Sequence, residues 1–462
     1  MKHEKTFDEC LFLKGTAAAL LCAAALTSPA ATVANWTGGA SGTWGAGYEG
    51  NWSVYPDADH YAVFGEPKTE PITVQVEGNV EAYGVMSDTG RTAGLNFTGT
   101  GTFTNKRGTL FEQKGSASLT DWDIDVASTV NTTAIQGINC FHKKLDCSAV
   151  YNFTLQSNSK VTLSDSARMT GQHVIVQPGA TFECLGSSVV SITKDFKPDP
   201  GASFKISTNA VITSRGLTMP FSREAGVNDS WTLDGGTLCV TNSGGFNAAG
   251  YSAYLQYTNS TKTVSGTGKI LLLKLDLSHA TNSTFRLDGP DLYVKAVGGQ
   301  YTWNNVLDVR GGSTIGAYGA DVNLANNWYT KFSGSAAIDT TDYADKMTPR
   351  TITLTRLQAS SGDLAVKGAG NLRLGISMTN PNLNLAVSDS ATFNTQSNAL
   401  YAIGDIVLKD SASFVSDYYI GHKGSTDNTK SLTMSGDTTL RVARYAQISG
   451  DVALSGNAAA DI

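Results

Sequence analysis

The sequence predicts an all-β protein, a parallel β-helix (solenoid) covered at its N-terminal end by an aromatic cap, and three observations predict it. First, one unit is written twice: Leu385-Ala386-Val387-Ser388-Asp389-Ser390-Ala391-Thr392-Phe393 is followed by Ile406-Val407-Leu408-Lys409-Asp410-Ser411-Ala412-Ser413-Phe414. In each, two apolar residues stand two apart, which reads as strand, and an Asp-Ser-Ala corner leads to a large apolar residue. Second, 48 Gly, only 11 Pro, 16% charged and 41% hydrophobic residues fit many short strands with frequent turns and are too apolar for disorder. Third, copies of the unit start at Val174 and Phe196 and at Leu385, Ile406, Leu432 and Val452, so one coil takes roughly 20 to 26 residues.

Residues 1–34 read as an export signal. Lys2, Lys5 and Lys14 precede the small-apolar run Gly15 to Leu26, and Ser28-Pro29-Ala30 or Thr32-Val33-Ala34 can precede cleavage. Cleavage after Ala34 is expected, because the chain changes character at Asn35-Trp36. Residues 35–68 form the cap: Trp36, Trp44 and Trp52 fall at a regular spacing, and large aromatics suit the end of a stack, which otherwise exposes core and unpaired strand edges. Exposed indoles stacking on sugars are the competing use. Residues 69–462 carry the repeats, with clear copies at Leu95 to Phe103, Val161 to Met169, Val174 to Phe182, Phe196 to Phe204 and Leu432 to Leu440. Degenerate copies, such as Trp231 to Leu238 and Leu307 to Ile315, fill the middle. The last copy, Val452 to Ala460, runs to Ile462, so the array is expected either to continue beyond this sequence or to be covered by a partner.

The corners bend the chain without reversing it, and Asn-Gly or Asp-Gly hairpin signals are scarce, so each strand is expected to pair in parallel with its counterpart one coil on. Phe103, Phe182, Phe204, Phe393 and Phe414 are expected to line the inside.

A formal net charge of -6 and the lack of a basic stripe give no electrostatic reason for a nucleic-acid partner. After the signal, no run approaches the ~18 apolar residues of a membrane helix. Four cysteines remain beyond Ala34: Cys140, Cys147, Cys184 and Cys239. In an oxidising compartment they allow three pairings; Cys140 and Cys147 can close a small loop, and a buried thiol is an equal reading for Cys184.

Trp36-Thr37-Gly38-Gly39, Trp44, Asn51-Trp52, Pro56-Asp57 and Ala62-Val63-Phe64, followed by the repeats from Leu95 to Ile462, resemble secreted bacterial proteins with autotransporter-associated β-strand repeats. The resemblance implies a right-handed parallel β-helix, export across the inner membrane and display on, or release from, the cell surface. A C-terminal translocating barrel is not seen in this sequence.

Among chemical candidates, Asp121-Trp122-Asp123-Ile124-Asp125-Val126 is the best. Alternation points the three carboxylates outward at about 7 Å intervals, a spacing that suits Ca²⁺ or an acid and base, or merely a solvated strand face. No Lys or Arg stands close by in sequence. Asp339, Asp342 and Asp345 lie in a loop without the Gly and Glu of a calcium loop. Cys140, His142 and Cys147 lack the second Cys/His pair of a zinc site. Gly421-His422-Lys423-Gly424 resembles a motif of β-helix hydrolases without the paired aspartates that accompany it there. Gly266-Thr267-Gly268-Lys269 is not a phosphate loop, because Thr263 replaces the first Gly and Ile270 the final Ser or Thr.

The sequence therefore points to a secreted or surface-displayed β-helix of structural or adhesin type that binds extracellular polysaccharide or protein along a polar flank. A polysaccharide-degrading lyase or hydrolase with Asp121, Asp123 and Asp125 as its carboxylates is the alternative. No cofactor is implied. A groove of Asp, Lys and Arg on adjacent coils favours the enzyme, and a uniformly polar flank the adhesin.

Overall fold

The Asp-Ser-Ala corner explains how the coil turns. Asp165, Asp389 and Asp410 sit at φ of 55°, 58° and 62°, the left-handed region that Asp tolerates and most side chains avoid. Each carboxylate of the later pair reaches back one coil: Asp389 Oδ2 accepts from the Gly368 N–H at 2.9 Å, and Asp410 Oδ2 from the Asp389 N–H at 3.1 Å. One coil further on the residue is Gly436, and a Cβ there would meet the Asp410 carbonyl oxygen at 2.5 Å. Close approach decides between Asp and Gly at this corner.

The computed structural model describes residues 32–462 apart from 89–90, 107–109, 114–120, 133, 218–220, 222–225, 242–245, 248–258, 277–281, 299–303, 325–328, 381 and 422–428. Among the described residues the chain is strand and turn with one 3-10 turn, Glu49–Asn51, and its strands ladder in parallel from coil to coil. One 27-stranded sheet runs the length of the solenoid. An eight-stranded sheet, Ser41–Trp44 to Ser203–Ile206, accompanies its N-terminal half; seven- and four-stranded sheets accompany its C-terminal half, so the cross-section changes in the middle.

The register matches the repeat read from sequence. Leu385 faces Ile406, Ile406 faces Leu432, and Leu432 faces Val452; Val174 faces Phe196. The long interval from Leu95 to Val161 is bridged in three steps, Leu95 to Trp122 to Asn139 to Val161. Phe103, Phe182, Phe204, Phe393 and Phe414 are all buried. Phe393 and Phe414 are register partners with ring centroids 4.9 Å apart, each burial being worth about 1.5–3 kcal/mol.

At the N-terminal end Trp36, Trp44 and Trp52 are buried, with Trp52 at 5.0 Å from both other indoles and 5.3 Å from Phe64. They close the stack and offer no free ring face for a sugar. The strand Thr32–Asn35 lies on this cap, paired residue by residue with His60 to Val63, and Ala34 is fully buried.

The pairing open to Cys140 and Cys147 does not form. Alternation along the strands places Cys147 inside the core and Cys140 half-buried on the outer face, and all four cysteines are free. Cys184 is a buried thiol whose pKa is pushed up by burial. Among the described residues no helix is long and apolar enough to cross a membrane.

Candidate functional site

The strand Asp121–Ile124 pairs with Leu95–Gly99 on one side and Ile138–Phe141 on the other. Trp122, Ile124 and Val126 point inward, so Asp123 and Asp125 face out; of Asp121 only the backbone is described. The two carboxylates do not act along the strand. Each is engaged by the next coil: Lys143 Nζ is 3.3 Å from Asp125 Oδ1, and His142 Nε2 is 2.6 Å from Asp123 Oδ1. The cation missing from the local sequence thus arrives from the following coil. His142 Nδ1 in turn lies 2.8 Å from both Asp165 Oδ2 and Ser164 Oγ. Of the cysteines flanking His142, only Cys140 shares its face.

Asp339, Asp342 and Asp345 do not converge as a calcium loop would require. Asp342 is buried, with Oδ1 accepting from the Gly319 and Ala344 N–H groups at 2.9 and 2.8 Å and Oδ2 from Arg350 Nε at 2.7 Å. Asp345 accepts from the Met347 and Thr348 N–H groups and the Thr348 hydroxyl, which hold its pKa down at about 2. His422, Lys423 and Gly424 lie outside the described residues.

The Asp339 region nevertheless forms a polar surface cleft of about 480 Å³. Its floor is an outer column of successive coils. Lys269 faces Asp291; Tyr293 faces Gly316, Gly316 faces Asp339, and Asp339 faces Lys367. Gly316 is required by contact, since a Cβ would lie 2.5 Å from the Tyr293 ring. The missing side chain lets that ring lie over the strand.

The wall is the excursion between the strands Tyr329–Asp339 and Thr351–Leu354. It is pinched at its base, where the Arg350 N–H donates to the Thr340 carbonyl at 2.8 Å, and is held by the Asp342–Arg350 ion pair. It carries Tyr343, whose ring centroid is 4.4 Å from that of Tyr293, with Lys269 Nζ 5.5 Å from the Tyr343 centroid. Tyr293 is almost covered and Tyr343 half-buried, so the outer ring is the one that reaches solvent.

Electrostatics separate the carboxylates of the cleft. Burial pushes the Asp339 pKa up, against the Thr341 N–H and Lys367, with Asp389 and Asp291 adding like-charge repulsion. Burial also raises the Tyr293 phenol, and Asp291 and Asp339 push the same way. Burial opposes ionisation of Asp342 too, but there the hydrogen bonds from Ala344, Gly319 and Arg350 outweigh it and the pKa is lowered. One carboxyl is thus biased to keep its proton, within the field of two others.

Comparison with family models, with curated proteins and with solved structures yields no match for this chain. Sequence reasoning noticed Asp339 and Lys269 only as parts of rejected loops and missed Asp291, Tyr293, Tyr343 and Lys367. The available signal was the coil interval: aligning the copies stacks Tyr293, Gly316, Asp339 and Lys367 in one column.

Proposed function

We propose that this chain is an exported β-helix of the autotransporter-passenger kind that binds extracellular polysaccharide at or beyond the cell surface, with the cleft at Asp291, Tyr293, Asp339, Tyr343 and Lys367 as its working surface. The carrying observation is the clustering of acids, lysines and an aromatic pair on adjacent coils beneath a pinned loop. A sugar presents an apolar C–H face and a rim of hydroxyls. Tyr343, backed by Tyr293, supplies an aromatic face, while the carboxylates and ammonium groups supply hydrogen bonds around it. The export signal and the resemblance of the N-terminal segment support the extracellular setting. The negative formal charge supports a neutral or mixed-charge glycan over nucleic acid.

A second reading, cleavage of the bound chain, is favoured by the same cluster, since Asp and Lys groups gathered on adjacent coils are the arrangement expected of an enzyme, and the pKa of Asp339, raised chiefly by burial and further by Asp389 and Asp291, moves in the direction a general acid needs. The test is incubation of the purified chain with a panel of polysaccharides, scoring retention and shortening together, for the wild type, Tyr343→Ala and Asp339→Asn. Binding lost in Tyr343→Ala supports the cleft as the surface. Shortening that Asp339→Asn removes while binding persists makes the protein an enzyme. Binding that survives Tyr343→Ala, or no binding to any glycan, overturns the proposal.

A further inference from the structure

A second site, independent of the cleft, lies on the N-terminal half of the solenoid. One ligand atom from each of Asp123, Cys140 and His142 lies within 4.8 Å of the other two on the outer face of adjacent coils. We propose that these three atoms bind a borderline divalent cation of the zinc class, leaving a fourth position open to solvent.

The backbone supports this placement. Asp123 and Cys140 are direct register partners on neighbouring strands, and His142 follows the strand Ile138–Phe141 by one residue. Two of the three ligands are therefore set by a parallel ladder rather than by a loop. Zinc bonds of ~2.0–2.3 Å at tetrahedral angles place neighbouring ligand atoms roughly 3.2–3.8 Å apart. Cys140 Sγ and His142 Nε2 stand at 3.6 Å already. Asp123 Oδ1 is closer to the imidazole, at 2.6 Å, and its side chain is 57% exposed, so it has room to draw back when a cation replaces the hydrogen bond.

The other side of the imidazole gives an independent indication. His142 Nδ1 meets Asp165 Oδ2 and Ser164 Oγ, both at 2.8 Å. A carboxylate on the far nitrogen of a ligating histidine fixes the ring and leaves the near nitrogen's lone pair for the metal. The donor set also chooses the ion. One thiolate, one imidazole and one carboxylate suit Zn²⁺ or Co²⁺, whereas Ca²⁺ and Mg²⁺ favour all-oxygen shells. Binding displaces the protons of the thiol and of the ligating imidazole nitrogen, so affinity should rise with pH.

The experiment is titration of the full chain, kept reduced by a non-thiol reductant, with Co²⁺. A thiolate-to-cobalt charge-transfer band in the near ultraviolet should saturate at one equivalent, be displaced by Zn²⁺ and ignore Ca²⁺. The band should vanish in Cys140→Ser, persist in Cys239→Ser, the other half-buried thiol, and require at least ten-fold more Co²⁺ in His142→Gln. Zn²⁺ should also raise the melting temperature of the wild type, and raise that of His142→Gln less at the same concentration. Absence of the band, its survival in Cys140→Ser, or its loss in Cys239→Ser overturns the proposal.

Discussion

Replacing Asp342 by Ala tests the account of the cleft wall. Asp342 is 1% exposed and satisfies two backbone N–H groups and the Arg350 guanidinium at once. Removing one partner of a buried ion pair costs about 3–5 kcal/mol, because the remaining charge and donors lose their acceptor. Arg350 retains 24% exposure and can turn toward water, which places the cost near the lower end, about 3 kcal/mol. The loss is local, since a solenoid coil touches only its neighbours. Hydrogen exchange read by mass spectrometry should therefore show the loop amides exchanging about 100-fold faster, at about 1.4 kcal/mol per factor of ten. The reporting groups are the Asp342 and Lys346 N–H, which donate to the Thr348 and Asp342 carbonyls at 2.9 and 2.8 Å. Amides of residues 406–414 serve as the internal reference. Wild-type exchange in the loop would refute the pinning, and equal acceleration in the reference would refute its locality.

Further outcomes follow from the same structure. Phe414→Ala opens a void between Phe393 and Leu440, its register partners, and should cost about 3–5 kcal/mol in a denaturant titration, whereas the outward Lys409→Ala should cost under about 0.5 kcal/mol. The pH dependence of the loop is fixed in sign by Asp342. Its folded pKa is depressed, so its contribution is complete above the unfolded value of about 3.9 and is lost as pH falls through the folded value; loop exchange, corrected for intrinsic rates, should accelerate only in that acid range. Asp339 has the opposite sign. Its folded pKa is raised, so its contribution is complete below about 3.9 and is lost as pH rises through the folded value, and Asp339→Asn should melt no lower than the wild type at neutral pH. Finally, cleavage after Ala34 would remove three of the four residues of the strand Thr32–Asn35, including buried Ala34, while cleavage after Ala30 leaves it whole. On the proposal that the chain is exported, N-terminal sequencing should therefore begin at Ala31 rather than at the Asn35 expected from the sequence.

The coil was legible because its chemistry is local. An Asp-Ser-Ala corner, two inward residues before it and one after it occupy a single short stretch, and the interval from Leu385 to Ile406 is itself the strand register. The tryptophan cap was legible for the same reason. The outer surface was not, because its contacts join residues a whole coil apart. Asp125 finds Lys143, and Asp123 finds His142, across a ladder whose coils vary in length, so no fixed spacing exposes the pair. The core also holds exceptions that no apolar pattern marks. Asn139 stands fully buried between Trp122 and Val161, its amide donating to the Gln136 carbonyl at 2.7 Å. Tyr293 was hidden by the glycine it needs: Gly316 carries no side chain to advertise a column.

The excursion that carries Tyr343 leaves the solenoid at Thr340 and rejoins it at Arg350, and those two residues are hydrogen-bonded to each other. Beyond that base the insert is anchored to the preceding coil at two points, where Asp342 accepts from the Gly319 N–H and the Tyr343 N–H donates to the Ala317 carbonyl. Outside these anchors the segment can lengthen, shorten or be exchanged without disturbing the ladder beneath it, so the proposed recognition surface and the stack that keeps the protein folded are free to change at different rates in descent.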